Sequence, residues 1–301
     1  MTDCLISGGT GFVGSHLADR LTSLGYSVKA LHGLDGLDRL KQCRFDMIFH
    51  LACFPRSMSF TDPCRDVDVN IKGTVRILEL AKKTRAKVLF SSNAGIYGNT
   101  TELPVTEAFP DNPCSPYDID KLAAERYLRF YSQAYGVPVT IFRLATIYGS
   151  RQRVSEVWKP IVAEFVTKML RGISPTIEGD GTQTRDFIHV SDVVEGLVRA
   201  MNVETGPEPI ILSSNTETSI NELYSTIGGL LNHFPRAKYK PQKANDVKRM
   251  WFSNSRAKKL LGWEPKMSLK EGLVKDVVPY YQKQLEVQNE VATGHGTNAN
   301  L

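Results

Sequence analysis

The chain has 301 residues, 42% hydrophobic and 23% charged, which is enough apolar material for one large domain or two unequal ones. Its formal net charge of +5 is scattered along the chain and not gathered into basic runs, so no nucleic-acid or membrane-surface arm is expected. Five cysteines form an odd set without metal or disulfide spacing, and no basic-then-apolar leader or apolar run of roughly 18 residues is present, so a soluble cytoplasmic protein without a metal site is expected.

The first predicted strand, "CLIS", runs into "GGTGFVG" and then an amphipathic helix ending near Gly25. Gly8, Gly11 and Gly14 stand at GxxGxxG spacing. Without a Cβ at these positions the chain can turn sharply, approach a pyrophosphate with backbone N–H groups and pack the helix closely on the sheet. The helix N-terminus adds partial positive charge. A plain turn is the alternative on this stretch alone; its place after the first strand of a strand-helix alternation favours the nucleotide cradle.

The second strand, "SVKALHG", ends in Leu31, His32 and Gly33, where an acid commonly accepts from the adenosine ribose. Asp35 or Asp38 could substitute, or both could be loop residues, so NAD is expected and NADP stays open. Only a short stretch separates this strand from "DMIFHLA", which means a helix or strand of the usual nucleotide-binding half is shortened or lost. His32 and His50 read as structural, because neither stands beside a nucleophile or a second ligand.

Further strands at "DMIFHLA", "KVLFSS", "VTIFRL" and "PIILSS" alternate with helices at "NIKGTVRILELAKK" and "KLAAERYLRFYSQAY". That order predicts an α/β fold, a doubly wound parallel sheet with helices on both faces. After "RLATIYG" the texture changes to one helix, a short strand and small Pro- and Gly-containing elements, predicting a smaller mixed α/β carboxy-terminal lobe. The boundaries are 1–150 and 187–214 for the dinucleotide-binding domain, and 151–186 and 215–285 for the second lobe. The polar, aperiodic tail, 286–301, is expected to be disordered. The two named helices carry apolar residues on more than one side, as a homodimer or a second buried face would require.

"CSPYDIDKLAAE" places Tyr117 and Lys121 four residues apart, on one helix face. Free tyrosine is a poor base at neutral pH, and a neighbouring ammonium favours its phenolate. Ser92, at the end of the "KVLFSS" strand, precedes Tyr117 by 25 positions and could hold a substrate oxygen beside the phenol. The bland alternative is a surface Tyr and Lys with a strand-ending serine.

Taken together, "SGGTGFVG", "FHLA", "NIKGT", "SSNAGIYG", "YDIDK", "RLATIYG", "GDGTQTRDFIHVSD" and "LLGWEP" make the chain resemble the extended short-chain dehydrogenase/reductase family, in its NAD-dependent sugar-nucleotide epimerase/dehydratase branch. The resemblance runs from the glycine turn to about Pro265. It implies NAD held by Gly8, Gly11, Phe12, Val13, Gly14, Leu51, Ala52 and Asn70, with Tyr117 as base and Lys121 on the nicotinamide ribose. It further implies a nucleotide-sugar substrate contacted by Ser92 or Asn93, Thr146, Arg185 and Lys243. Arg185 suits a diphosphate because a guanidinium offers a rigid fork of donors, with an ion pair to Asp186 or another acid as its structural alternative.

Departures narrow the reaction. Aligned on Tyr-Gly of "GIYG", Asn93 and not Ser92 falls where relatives place the catalytic Ser or Thr, whereas spacing to Tyr117 favours Ser92. Relatives that dehydrate carry an Asp-Glu pair where Ala94 and Gly95 stand, and those that decarboxylate carry Glu at the Gly95 position. Thr146 replaces a common Asn, and Lys243 a common Arg. Transient oxidation of a UDP-hexose to a 4-keto sugar and its return, an epimerisation, is therefore the expected activity. The competitors are a dehydratase or ketoreductase of the same family, and a non-catalytic dinucleotide sensor.

Overall fold

The apolar runs read as strands lack the in-out alternation of a half-solvated sheet, and such runs belong to strands covered on both faces. A computed structural model of the chain, which describes residues 2–40, 42–100, 102–155, 158–242 and 247–294, places them in one six-stranded sheet. β1 (Asp3–Ser7), β2 (Ser27–Ala30), β3 (Met47–His50), β4 (Lys87–Asn93), β5 (Val139–Leu144) and β6 (Ile210–Leu212) lie all parallel in the order β6-β5-β4-β3-β1-β2. Register is fixed by pairs such as Cys4 with Val28 and Met47, Phe90 with Ile141, and Ile211 with Arg143.

The longer helices are α1 (Phe12–Ser23), α2 (Gly73–Thr84), α3 (Pro116–Tyr135), α4 (Ile161–Leu170), α5 (Val190–Arg199), α6 (Ile220–Leu231) and α7 (Val278–Gly294). Strand residues alternate between two cores. Ile6, Phe49 and Leu89 pack with Leu17 and Leu21 of α1 and Val193 and Leu197 of α5. Leu5, Ile48 and Phe90 pack with Ile77 and Leu78 of α2 and Ala124 and Leu128 of α3. Each such side chain, fully buried, contributes about 1.5–3 kcal/mol before the cost of ordering it.

One turn of 3-10 helix, Leu37–Leu40, is the only regular element among the described residues between β2 and β3, so β2 forms the sheet edge. From β1 the chain goes outward to β2 and then returns to the other side of β1 with β3. The crevice at the carboxyl ends of these strands is where open α/β sheets bind ligands.

A third core, built from Phe165 and Val166 of α4, Leu223 and Ile227 of α6 and Tyr281 of α7, belongs to the smaller lobe. Short pairings of Thr176–Glu178 with Lys238–Lys240 and of Thr184–Arg185 with Thr218–Ser219 complete it. The "LLGWEP" segment ties to α5: buried Trp263 donates from Nε1 to Asp192 O at 2.9 Å, while the Asp192 carboxylate accepts from the Lys266 and Met267 amides.

Residues 286–294, expected to be disordered, are instead the last turns of α7. Leu285, Glu286, Gln288 and Glu290 are good helix formers, and propensity continues the helix where the sequence shows no apolar periodicity. Residues 295–301 lie outside the described residues. No helix among the described residues is long and apolar enough to cross a membrane.

Candidate active site

Gly8 has φ 70°, and a Cβ there would stand 2.8 Å from Ala52 N; one on Gly14 would run into the Gly8 carbonyl oxygen. The turn therefore closes only without side chains at these positions. α1 begins at Phe12 with Gly11 as its N-cap, no capping side chain and no acid in its first turn. Its first amides, with those of Phe12 and Val13 among them, are left to an anion, so the cradle fits a dinucleotide pyrophosphate. Leu51 N donates to Ser7 O at 3.1 Å, which sets Leu51 and Ala52 directly against the turn.

Asn70 lies in a π turn, Asp68–Lys72, that leads into α2. Its Oδ1 accepts from Phe54 N at 3.1 Å and its Nδ2 donates to the Asp66 carboxylate, so it pins the loop after β3. His50 is fully buried between Ser7 Oγ (2.7 Å from Nδ1) and Thr74 Oγ1 (3.0 Å from Nε2). Burial first, then the charge of Lys121, pushes its pKa down to about 3. It is a neutral bridge from β1 to α2.

α3 opens at Ser115, whose Oγ accepts from Asp118 N at 3.1 Å, with Pro116 in the first helical position. That cap fixes the first turn, and with it Tyr117. Cys53, which follows Ala52 in the chain, lies close enough to Tyr117 to act on its phenol. Phenol and glycine turn thus share one crevice. Lys121, one turn on, is buried; its Nζ donates to Ser91 O at 2.6 Å, over the Phe90 ring at 4.4 Å and 5.8 Å from the Tyr117 ring centre.

The electrostatics differ from the expectation raised by the Tyr-Lys spacing. Burial, and then Cys53, Asp118 and Asp66, push the phenol well above its ordinary pKa, so the protein alone holds Tyr117 neutral. Burial also lowers Lys121, opposed by Cys53, Glu125 and Asp66. Burial thus disfavours the ammonium and the phenolate alike, while the low dielectric strengthens the attraction between the two charged forms.

Ser92, expected to hold the substrate oxygen, is hydrogen-bonded inside the fold. Its Oγ donates to Glu125 Oε1 at 2.5 Å, in the layer between β4 and α3. There Glu125 receives Arg143 through Nε at 2.9 Å and Nη2 at 2.7 Å, and Asp111 meets Arg143 Nη1 at 2.7 Å. Ser92 and Asn93 both find their partners on α3, Ser92 at Glu125 and Asn93 nearer the helix start at Asp118. Asn93 Oδ1 accepts from Gly95 N at 3.1 Å, and its Nδ2 donates to Asp118 Oδ1. Asp118 is fully buried and also receives Ser115 Oγ at 2.6 Å and Arg56 Nη2 at 3.3 Å. Arg56, Cys53, Asp66 and Asp118 were not singled out from the sequence. The acids of "YDIDK" were visible there, but not their burial.

Farther out, Arg185 donates from Nη1 to Thr184 O at 2.7 Å and Val247 O at 2.8 Å. The neighbouring Asp186 carboxylate accepts from Ser214 N and Oγ and from Phe252 N. Thr146 opens the strand Thr146–Tyr148 and donates its amide to Asp186 O at 2.9 Å. Lys243 lies outside the described residues. Arg249, another cation of this lobe, is held by both oxygens of Glu217 at 2.7 and 2.6 Å.

A phosphate cradle at the switch point of a parallel sheet, with a tyrosine and a lysine one helical turn apart beside it, defines a dinucleotide-dependent enzyme of the doubly wound class. Residues 4–213 match the NAD dependent epimerase/dehydratase family, and the chain belongs to it. Its sequence is similar to UDP-glucose 4-epimerase of Mycolicibacterium smegmatis, 33% identical over 91% of this chain and 96% of that protein. It is also similar to UDP-glucuronic acid decarboxylase 3 of Arabidopsis thaliana, 34% identical over 89% of this chain and 86% of that one. In structure it is similar to UDP-glucose 4-epimerase of Thermotoga maritima with UDP-glucose, at a TM-score of 0.89 and 32% identity, covering 94% of this chain and 100% of the other.

Proposed function

We propose that the protein is an NAD-dependent epimerase of a nucleotide-activated sugar, acting at C4 of a UDP-hexose through a transient 4-keto sugar. One observation carries the choice within the family. Position 95 is glycine and carries no acid, and a Cβ there would stand 2.7 Å from Asn93 Nδ2 and 3.1 Å from Asp118 Oδ1, crowding the bond between them. The adjoining Ala94 is buried and carries no acid. Without either acid, the added acid/base steps of those reactions have no agent.

NAD, when bound, supplies the hydride acceptor and, in its oxidised form, a positive charge that favours the phenolate of Tyr117. Gly8, Gly11, Phe12, Val13 and Gly14 bind its phosphates, with Leu51, Ala52 and Asn70 shaping the adjoining wall. Tyr117 takes the proton of the sugar 4-hydroxyl and returns it. Lys121, anchored to the Ser91 carbonyl, reaches the nicotinamide ribose. Asn93 stands in the serine role: its amide, oriented by Asp118 and Gly95, aligns the sugar oxygen without taking a proton. Thr146, Arg185 and Lys243 hold the sugar and diphosphate. Holding these groups in one geometry supplies much of the rate.

The protein works as a cytoplasmic homodimer in this reading. Ile119, Tyr127 and Phe130 share one face of α3, and Ile119 and Phe130 are 54% and 53% exposed, an apolar stripe suited to a second copy.

The test is incubation of purified protein with a panel of UDP-, dTDP- and GDP-sugars, followed by NMR without added reductant. Interconversion of C4 epimers with no net NADH consumption is expected, and Tyr117→Phe should lower turnover by about 10³-fold while retaining dinucleotide. Stoichiometric NAD(P)H consumption would replace epimerisation with a ketoreductase, and loss of water or carbon dioxide with a dehydratase or decarboxylase. Failure of any sugar to reduce bound NAD would leave a dinucleotide sensor.

A further inference from the structure

The adenosine end of the cradle differs from its phosphate end in the kind of group it offers. Dinucleotide folds commonly place a carboxylate at the end of the second strand, where it accepts from the ribose hydroxyls and repels a 2′-phosphate. Here β2 is followed by buried Leu31 and exposed His32. His32 Nδ1 lies 2.9 Å from Thr10 Oγ1 of the glycine turn, and Gly33 O accepts from Gly8 N at 2.8 Å. These two bonds staple the end of β2 to the cradle and put the imidazole where the carboxylate would stand. Neither nearby acid takes that place. Asp38 pairs with Arg76 of α2 at 2.8 Å, and Asp35 lies beyond a turn closed from Asp35 N to His32 O at 2.9 Å.

We propose that His32 faces the adenosine 2′ position and makes this site accept NADP as well as NAD. The inference rests on the dinucleotide-binding reading above. A threonine hydroxyl can either donate to Nδ1 or accept from it, so the Thr10 contact supports both tautomers of the ring. With one tautomer Nε2 offers a lone pair to a ribose 2′-hydroxyl; with the other it offers an N–H to a 2′-phosphate oxygen. A carboxylate could only accept, and its charge would oppose the phosphate.

The experiment measures NAD⁺ and NADP⁺ binding by titration calorimetry on protein stripped of nucleotide, alongside thermal melts. The wild type should bind the two within about tenfold of each other, and His32→Asp should weaken NADP⁺ relative to NAD⁺ by about a hundredfold. His32→Gln, neutral and able to keep the Thr10 bond, should retain the wild-type ratio, which keeps the test decisive if His32→Asp does not fold. Asp35→Asn should leave the ratio unchanged. Tight NAD⁺ with NADP⁺ excluded in the wild type, or a ratio that moves with Asp35→Asn and not with the His32 variants, overturns the proposal alone. Binding of neither dinucleotide overturns the cofactor reading with it.

Discussion

Asn93 Nδ2 donates to Asp118 Oδ1 at 2.5 Å, joining the last residue of β4 to the first turn of α3, one residue from Tyr117. Asp118 also receives Ser115 and Arg56, so one buried carboxylate sets the end of the strand, the cap of the helix and the loop after β3. Removing it leaves buried donors unmatched. Asp118→Ala is expected to cost about 2–4 kcal/mol of stability and to reduce kcat by at least about tenfold, with Asp118→Asn falling between the two proteins. Denaturant melts and initial rates on the same preparations check both.

Ser92 and Asn93 should separate stability from chemistry. Ser92→Ala removes one bond to Glu125, which keeps both Arg143 contacts, so a loss of about 1–2 kcal/mol with kcat within about threefold is expected. Asn93→Ala removes the side chain bonded to Asp118, one residue from Tyr117, and on the proposed role of Asn93 should lower kcat by about 10- to 100-fold. Should Ser92→Ala abolish turnover while melting like wild type, the serine role returns to Ser92.

His50 makes acid stability testable. Its folded-state pKa, about 3, lies below the ordinary 6.5 because burial, and then Lys121, disfavours the charged ring. Between those values the unfolded chain binds the proton that the native protein refuses, so this contribution raises stability with pH and is lost as pH falls from about 6.5 toward 3. Relative to His50→Gln, wild type should lose about 1.4 kcal/mol per pH unit across that window. Urea melts of both proteins at stepped pH give the difference directly, and contributions from the acids common to both cancel.

Phe130→Lys places a charge in the proposed subunit face. Sedimentation at micromolar concentration should find a dimer for wild type and a monomer for the variant, with far-UV circular dichroism unchanged. A wild-type monomer would assign the stripe to another role.

Much of the scaffold could be read along the chain because its causes are local. Continuous apolar runs make strands buried on both faces, and three glycines at fixed spacing make a turn that side chains would obstruct. The short link from β2 to β3 and the change of texture after "RLATIYG" were legible in the same way. The α7 extension through Gly294 was not, because intrinsic propensity leaves no periodic apolar signal.

The sequence by itself determined the fold class, the cofactor cradle and the Tyr117–Lys121 spacing, since each depends on residue type at a fixed separation. Tertiary structure alone decided that Ser92 turns toward Glu125 while Asn93 meets Asp118, and that burial keeps the isolated Tyr117 phenol neutral. The reason is that hydrogen-bond partnership and desolvation depend on what packs across the fold. Glu125 lies 33 positions from Ser92, and no local pattern at β4 announces which layer it will occupy.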